Sequence, residues 1–144
     1  MRSSAFPDVN VWLALAYDKH KHYASASKWF EAAQASSIYF CRLTQLSFLR
    51  LLCTPVIMSD AVHTQAEAWK TYDRWFKDTR ISFIEEPAGI EKAFRTQTQQ
   101  TYQPTPGAWA DAYLAAFASM AGLTLVTFDR KLAQRTGANC LLLD

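Results

Sequence analysis

Long apolar segments are missing from this sequence. The longest one near the N-terminus, residues 9–17, is interrupted by Asn10 and lies between Asp8 and Asp18. A membrane-spanning helix needs about 20 predominantly apolar residues, and a secretory signal peptide needs a continuous apolar core. The N-terminal region fits neither pattern, so we expect no association with a membrane.

Cysteine is also scarce. Cys41, Cys53 and Cys140 are odd in number and follow no spacing that is typical of zinc or redox sites. Free thiols are the usual state of cysteine in a reducing compartment, where it behaves as a small apolar side chain. The sequence therefore predicts a cytoplasmic protein with buried thiols.

A large excess of charge of either sign is absent as well. The net charge of +2 indicates a polyanionic partner only if the basic residues cluster in space. Half of the residues are apolar and 14% are aromatic, which excludes a disordered chain. With 144 residues and no repeat or linker, the sequence predicts one domain that spans 1–144.

Short apolar runs alternate with helical patterns along the chain. Strands are predicted at 4–9, 37–41, 81–84, 123–128 and 140–143, and helices at 11–16, 24–35, 44–52, 60–77, 88–99 and 108–121 and from Arg130. A turn-rich loop at 102–107 offers Thr105 as an N-cap, with Pro106 at the first helical position. This alternation predicts an α/β fold, a three-layer α/β/α sandwich around a five-stranded parallel sheet.

Asp111 is the only charged residue in the apolar segment 108–121, and no Lys or Arg lies between Arg95 and Arg130. A buried carboxylate needs a hydrogen bond, a cation or a metal ion. Asp8 and Asp129 both follow apolar runs that read as buried strands. Parallel strands bring such ends together at one edge of a sheet, where ligands bind.

If the three carboxylates converge, their repulsion raises at least one pKa, and a divalent cation relieves it. Oxygen ligands without His or Cys favour Mg²⁺ or Mn²⁺. Such an ion would activate water for attack on a phosphodiester. Asn10 and Thr127 flank the acids and are candidates to position the water or a ligand. Two alternatives stay open: Asp8 and Asp129 as helix N-caps, and Asn10 and Thr127 as plain turn or strand residues.

Four segments together resemble a known family: Phe-Pro-Asp-Val-Asn at 6–10, Phe-Cys-Arg-Leu-Thr-Gln-Leu-Ser-Phe-Leu-Arg at 40–50, Trp-Ala-Asp-Ala-Tyr-Leu-Ala-Ala-Phe-Ala at 109–118, and Leu-Val-Thr-Phe-Asp-Arg at 125–130. The chain resembles the PIN-domain nucleases, specifically the VapC-type toxins of bacterial toxin–antitoxin pairs, over essentially its whole length. The resemblance implies a metal-dependent endoribonuclease that is inhibited by a cognate VapB-type antitoxin and usually forms a homodimer.

Carried over by position, the resemblance makes Asp8, Asp111 and Asp129 the catalytic, metal-binding acids. The third-helix position where many members have Glu is matched to Gln45, whose amide oxygen would orient a metal-bound water. Glu67 is a weaker substitute for the missing acid, because it reads as a solvated residue of an amphipathic helix.

Four basic residues near the motifs are candidates for contacts to RNA phosphates, with solvated helix ends as the open alternative: Arg42, Arg50, Arg130 and Lys131. Two other functions compete with a ribonuclease. One is a PIN-like module, weakened by the missing acid, that only binds RNA or its antitoxin. The other is a phosphotransferase with an Asp after its first strand, which is disfavoured because Asn10 occupies the position of its second Asp.

Overall fold

The computed structural model describes residues 4–34, 36–99, 105–136 and 139–144. The strands are β1 (Ser4–Pro7), β2 (Ser37–Phe40), β3 (Ile81–Phe83), β4 (Thr124–Thr127) and β5 (Cys140–Leu142). The α-helices are α1 (Val9–Ala16), α2 (Tyr23–Ala32), α3 (Arg42–Leu52), α4 (Pro55–Met58), α5 (Gln65–Trp75), α6 (Ile90–Gln99), α7 (Ala108–Ala121) and α8 (Arg130–Thr136). All strand pairs are parallel, in the order β3-β2-β1-β4-β5.

Helices cover both faces of this sheet. Successive side chains of β1 point to opposite faces, so Ala5 packs with α1, α3 and α5, whereas Phe6 packs with α6, α7 and α8. On the first face the Trp12 and Phe40 rings stack at 3.8 Å between centroids, and on the second the Phe6 and Phe117 rings stack at 4.8 Å. The predicted three-layer sandwich with a five-stranded parallel sheet is confirmed.

The helix predicted at 60–77 is shorter and begins later. The structure has α4 first, then a 3₁₀ turn at Ser59–Ala61, and only then α5. Thr64 caps α5: its hydroxyl accepts from the Glu67 amide at 3.2 Å, and the Glu67 carboxylate accepts from the Thr64 amide at 2.8 Å. This capping box fixes the helix start, and the apolar period of the sequence does not reveal it.

The helix that carries Asp111 begins at Ala108 behind Gly107, rather than at the cap predicted for Thr105. Residues 102–104 of the predicted loop, and Ala35 at the predicted end of α2, lie outside the described part of the chain. Cys41 is buried as predicted, whereas Cys53 and Cys140 are only half-buried. Within the described ranges no helix is long and apolar enough to cross a membrane.

Candidate active site

The strand order reverses direction next to β1, which pairs with β2 on one side and β4 on the other. Crevices at such switch points, beyond the carboxyl ends of the strands, are the usual ligand sites of open α/β sheets. Asp8 follows β1 directly, and its amide donates to the Val126 carbonyl of β4 at 3.0 Å. Asp129 lies two residues beyond the end of β4. The sheet therefore brings both predicted acids to its switch point.

Asp8 serves as the N-cap of α1 and as a buried acid. Its Oδ1 accepts from the Val11 amide at 3.1 Å, and only 5% of the residue is exposed. Burial raises the pKa of Asp8 to about 6, although hydrogen bonds from Thr127, Val11 and Asn10 favour the charged form. The N-cap alternative is thus correct for Asp8, and it does not exclude a role as a ligand.

Thr127 links the two acids that follow the strands. Its hydroxyl is fully buried, donates a short hydrogen bond to Asp8 Oδ2, and accepts from the Asp129 amide at 3.0 Å. The register of β1 and β4 explains the contact, because it pairs Pro7 with Val126 and so places the next residues side by side. Thr127 is therefore a positioning residue for the acids.

Asp111 approaches the same place from α7. It lies in the first turn of that helix and is half-buried. Burial raises the pKa of Asp111, as does the charge of Asp129, while Arg135 and Lys131 oppose the increase. Asp129 itself accepts from the Lys131 amide at 2.9 Å through Oδ1. Each acid thus sits at or next to a helix N-terminus, where the helix dipole favours an anion.

The three acids line one cleft of about 90 Å³. The remaining lining residues are Val9, Asn10, Leu43, Thr44, Ser47, Ala110 and Leu114. The structure therefore brings together the three predicted acids and Asn10, which is exposed at the rim. Thr127 does not line the cleft, but its hydroxyl donates a hydrogen bond to Asp8, which does.

The donor chemistry of this cleft fits a hard divalent cation, because carboxylate oxygens with raised pKa values are stabilised by such an ion. In the ranges that the structure describes, no Lys or Arg forms an ion pair with these three acids. In the same ranges, no three Asp, Glu, His or Cys side chains are arranged closely enough to hold a metal ion. Asp8 and Asp129 direct oxygens to main-chain amides and Thr127, and each carboxylate oxygen keeps a second lone pair for another ligand.

Gln45 is not brought into the cleft. Its Oε1 accepts from Arg42 at 2.5 Å, and its side chain lies beside Tyr72 in a separate depression. Ser47 of the same helix lines the cleft instead. The two residues are two positions apart, about 200° around the helix, and therefore point to nearly opposite sides. The structure thus places Gln45 outside this cleft, whereas Ser47 lines it, and the role of Gln45 in orienting a metal-bound water stays a prediction.

We expect Ser47→Glu to bind Mn²⁺ about 10-fold more tightly than the wild type, because it adds a carboxylate to the cleft. Gln45→Glu adds the same charge to the same helix outside the cleft and should leave the affinity unchanged. Calorimetric titrations of Mn²⁺ into the three proteins would measure this difference. Tighter binding by Gln45→Glu alone would contradict the placement of Ser47.

The predicted basic residues lie at different places. Lys131 is near enough to the cleft to affect Asp111, and Arg130 is exposed at the start of α8. Arg135, which the sequence analysis missed, acts on Asp111 in the same way, from one helical turn beyond Lys131. Arg50 lies in a groove with Leu46, Leu49 and Trp69, away from the acids.

Two further sequence candidates also lie outside the cleft. Arg42 occupies the depression around Gln45. Glu67 is exposed in the capping box of α5 and does not replace the missing acid, in agreement with its sequence pattern.

Comparisons with known proteins show the family to which this chain belongs. The family model of the PIN domain matches residues 5–138. Ribonuclease VapC41 of Mycobacterium tuberculosis is 39% identical over 141 residues, which are 94% of this chain and 96% of that protein. Ribonuclease VapC38 of the same species is 29% identical, over 87% of this chain and 84% of that protein.

Solved structures agree in fold. The crystal structure of VapBC2 from Rickettsia felis, bound to a promoter DNA fragment, superposes with a TM-score of 0.70 at 16% identity and covers 98% of this chain and 99% of the other. VapC20 of M. tuberculosis, a Sarcin-Ricin loop cleaving toxin, gives 0.68 at 14% identity, over 94% and 97%. Fold and cleft define a parallel α/β/α protein with an acidic site at its switch point. The chain belongs to the PIN-domain family, and the resemblance to VapC-type proteins is confirmed.

Proposed function

We propose that this chain, as a single PIN domain over 1–144, is an endoribonuclease toxin that hydrolyses RNA phosphodiester bonds with the help of Mg²⁺ or Mn²⁺. The convergence of Asp8, Asp111 and Asp129 in one cleft carries this proposal. Its family and the ribonuclease names of its relatives support the same reaction. Because no Lys or Arg among the described residues forms an ion pair with these acids, they are suited to hold a metal ion.

In this proposal Asp8, Asp111 and Asp129 hold the cation. When bound, the cation would supply charge for the phosphoryl oxygens and lower the pKa of an attacking water. Thr127 keeps Asp8 and Asp129 in place through its two hydrogen bonds. Lys131 provides positive charge beside the cleft that attracts the RNA backbone.

The decisive experiment maps new RNA ends in cells after brief expression of the wild type. An Asp8→Asn protein, which keeps the N-cap because Asn also caps helices, is the matched control. We expect defined cleavage sites in the wild type and their loss in the variant. The same ends in both proteins would contradict the proposal.

The partner of the toxin is expected to be a VapB-type antitoxin that covers the cleft. The R. felis structure, a VapBC pair on promoter DNA, supports this kind of partner. We also propose a homodimer in the cytoplasm, as the family resemblance implies. Co-expression with a VapB-type antitoxin and light scattering of the free toxin would measure these two properties.

A second function, an RNA- or antitoxin-binding PIN module with weakened turnover, is favoured by one observation. Helix α3 presents Ser47 to the cleft and no carboxylate, so the cleft contains three acids without a fourth from this helix. Purified protein without RNA cleavage at millimolar Mn²⁺, but with retained RNA binding, would establish this alternative.

A thermal shift tests the metal site directly. Mg²⁺ or Mn²⁺ at about 100 times its dissociation constant should stabilise the protein by about 2.7 kcal/mol, because the unfolded chain has no cluster. The shift should vanish in Asp129→Asn. It should persist in Asp73→Asn, which removes an exposed acid from α5. An equal shift in Asp129→Asn would mean that the ion binds elsewhere.

A further inference from the structure

A second depression opens at the same edge of the sheet as the acidic cleft. It has a volume of about 380 Å³, and its lining residues are Arg42, Gln45, Tyr72, Phe76, Phe83 and Glu85. Arg42 follows β2 by two residues, and Phe83 is the last residue of β3. Because β1, β2 and β3 are neighbours and strands lie about 4.8 Å apart, Phe83 is roughly 10 Å from the strand end that carries Asp8.

The Arg42 side chain is exposed, yet it is held in place. Its guanidinium carbon lies 4.9 Å from the centre of the Phe83 ring, and Nη1 donates to Gln45 Oε1 at 2.5 Å. Gln45 is 8% exposed, and its side chain shares this depression with Tyr72. These two contacts of Arg42 restrict a side chain that would otherwise move freely in solvent. The hydrogen bond to Gln45 therefore holds the guanidinium over the Phe83 ring.

The charges around this depression argue against a phosphate site. Its lining contains one cation, Arg42, and one carboxylate, Glu85, so it has no excess of positive charge. Unpaired RNA bases stack on aromatic side chains and on arginine guanidinium groups, and this depression contains one of each side by side. A carboxylate at the rim accepts a hydrogen bond from the exocyclic amino group of a base.

We propose that Arg42 and Phe83 form a base-binding subsite that holds one unpaired nucleotide of the RNA next to the cleaved bond. This inference rests on the proposed ribonuclease function and adds a second position at which the enzyme binds the RNA. Gln45, which lies outside the acidic cleft, acquires a role as the residue that orients Arg42. The subsite binds the base by stacking, whereas Lys131 near the acids attracts the phosphate groups of the RNA.

The test compares two fluorescein-labelled RNA strands of equal charge, a single-stranded adenosine dodecamer and an abasic dodecamer. All proteins carry Asp111→Asn to prevent cleavage, and the measured quantity is the ratio of the two affinities. The wild-type subsite should favour the adenosine strand. Phe83→Ala should reduce that ratio about 5- to 100-fold, the range of one base stacked on an aromatic ring, and leave the abasic affinity unchanged.

Matched variants separate stacking from damage to the fold. Phe83→Tyr keeps the ring and should keep the ratio, as should Trp69→Ala, which removes an aromatic side chain that is 47% exposed elsewhere. Arg42→Lys keeps the charge without the planar group and should lower the ratio, even if Phe83→Ala fails to fold. A wild-type ratio of one, or equal ratios in the wild type, Phe83→Ala and Arg42→Lys, would overturn the subsite.

The two proposals fail in different ways. RNA cleavage by the wild type together with a ratio that does not depend on Phe83 or Arg42 refutes the subsite alone. A ratio that depends on both residues, in a protein whose wild type produces no RNA ends, supports the subsite and refutes the nuclease function.

Discussion

Replacing Asp8 with Asn is expected to stabilise the metal-free protein by roughly 3 kcal/mol at pH 7. Burial raises the pKa of Asp8 from 3.8 to about 6, and each pKa unit corresponds to about 1.4 kcal/mol. The carboxylate is 5% exposed, so solvent screens little of this cost. Asn removes the charge and keeps the side-chain oxygen that caps α1. Loss of cleavage together with a gain in stability distinguishes a functional acid from a structural one.

The pH dependence of this effect has a defined sign. Because the pKa of Asp8 is higher in the folded protein, the folded state binds the proton more tightly than the unfolded state. Its stabilising effect is complete below about pH 4 and is lost as the pH rises to about 6. The free energy of unfolding of the wild type should therefore fall across this interval.

Urea unfolding of both proteins between pH 3.5 and 7.5, in the presence of a chelator, measures the predicted difference. The two curves should converge near pH 4 and separate by roughly 3 kcal/mol above pH 6. Asp111, whose pKa is also raised by burial, adds a decrease of the same sign to both curves. Parallel curves would show that the charge of Asp8 does not destabilise the folded protein.

The three acids could be predicted from sequence because simple rules fix their positions. Asp8 and Asp129 end apolar runs, and parallel strands place such ends at one edge. Asp111 is the only charge in an apolar helix, so it has to be near the core or a site. These inferences depend only on which end of a strand an acid is near and on the composition of a helix, so they tolerate an error of two residues in an element boundary.

The residue of α3 that faces the cleft could not be predicted in the same way. Two positions of a helix differ by about 200°, so the choice between Gln45 and Ser47 depends on how the helix is rotated about its axis. That rotation is set by the packing of α3, which buries Phe48 and Leu52 in the core. The pairing of Arg42 with Phe83 also needs the order of β2 and β3, which only the assembled sheet provides.

Thr127→Val is the second change with a large expected effect. Valine has nearly the same shape as threonine, but it leaves Asp8 Oδ2 without a donor and the Asp129 amide without its acceptor. A buried hydrogen bond to a charged group contributes about 1.5–3 kcal/mol, so we expect a loss of about 3 kcal/mol at pH 7. Cleavage should fall about 10- to 100-fold, as it does when a group that orients a metal ligand is removed.

The pH dependence identifies the cause of this loss. The hydrogen bond from Thr127 favours the charged form of Asp8 and lowers its pKa, so Thr127→Val should raise that pKa further and cost less near pH 4, where Asp8 is protonated. Thr127→Ser keeps the hydroxyl and should retain cleavage. In the Asp8→Asn background, Thr127→Val should cost less than in the wild type, because no buried charge is left unpaired. Urea unfolding of this double-mutant cycle measures the coupling, and equal costs in both backgrounds would show that Thr127 stabilises β4 without supporting the acids.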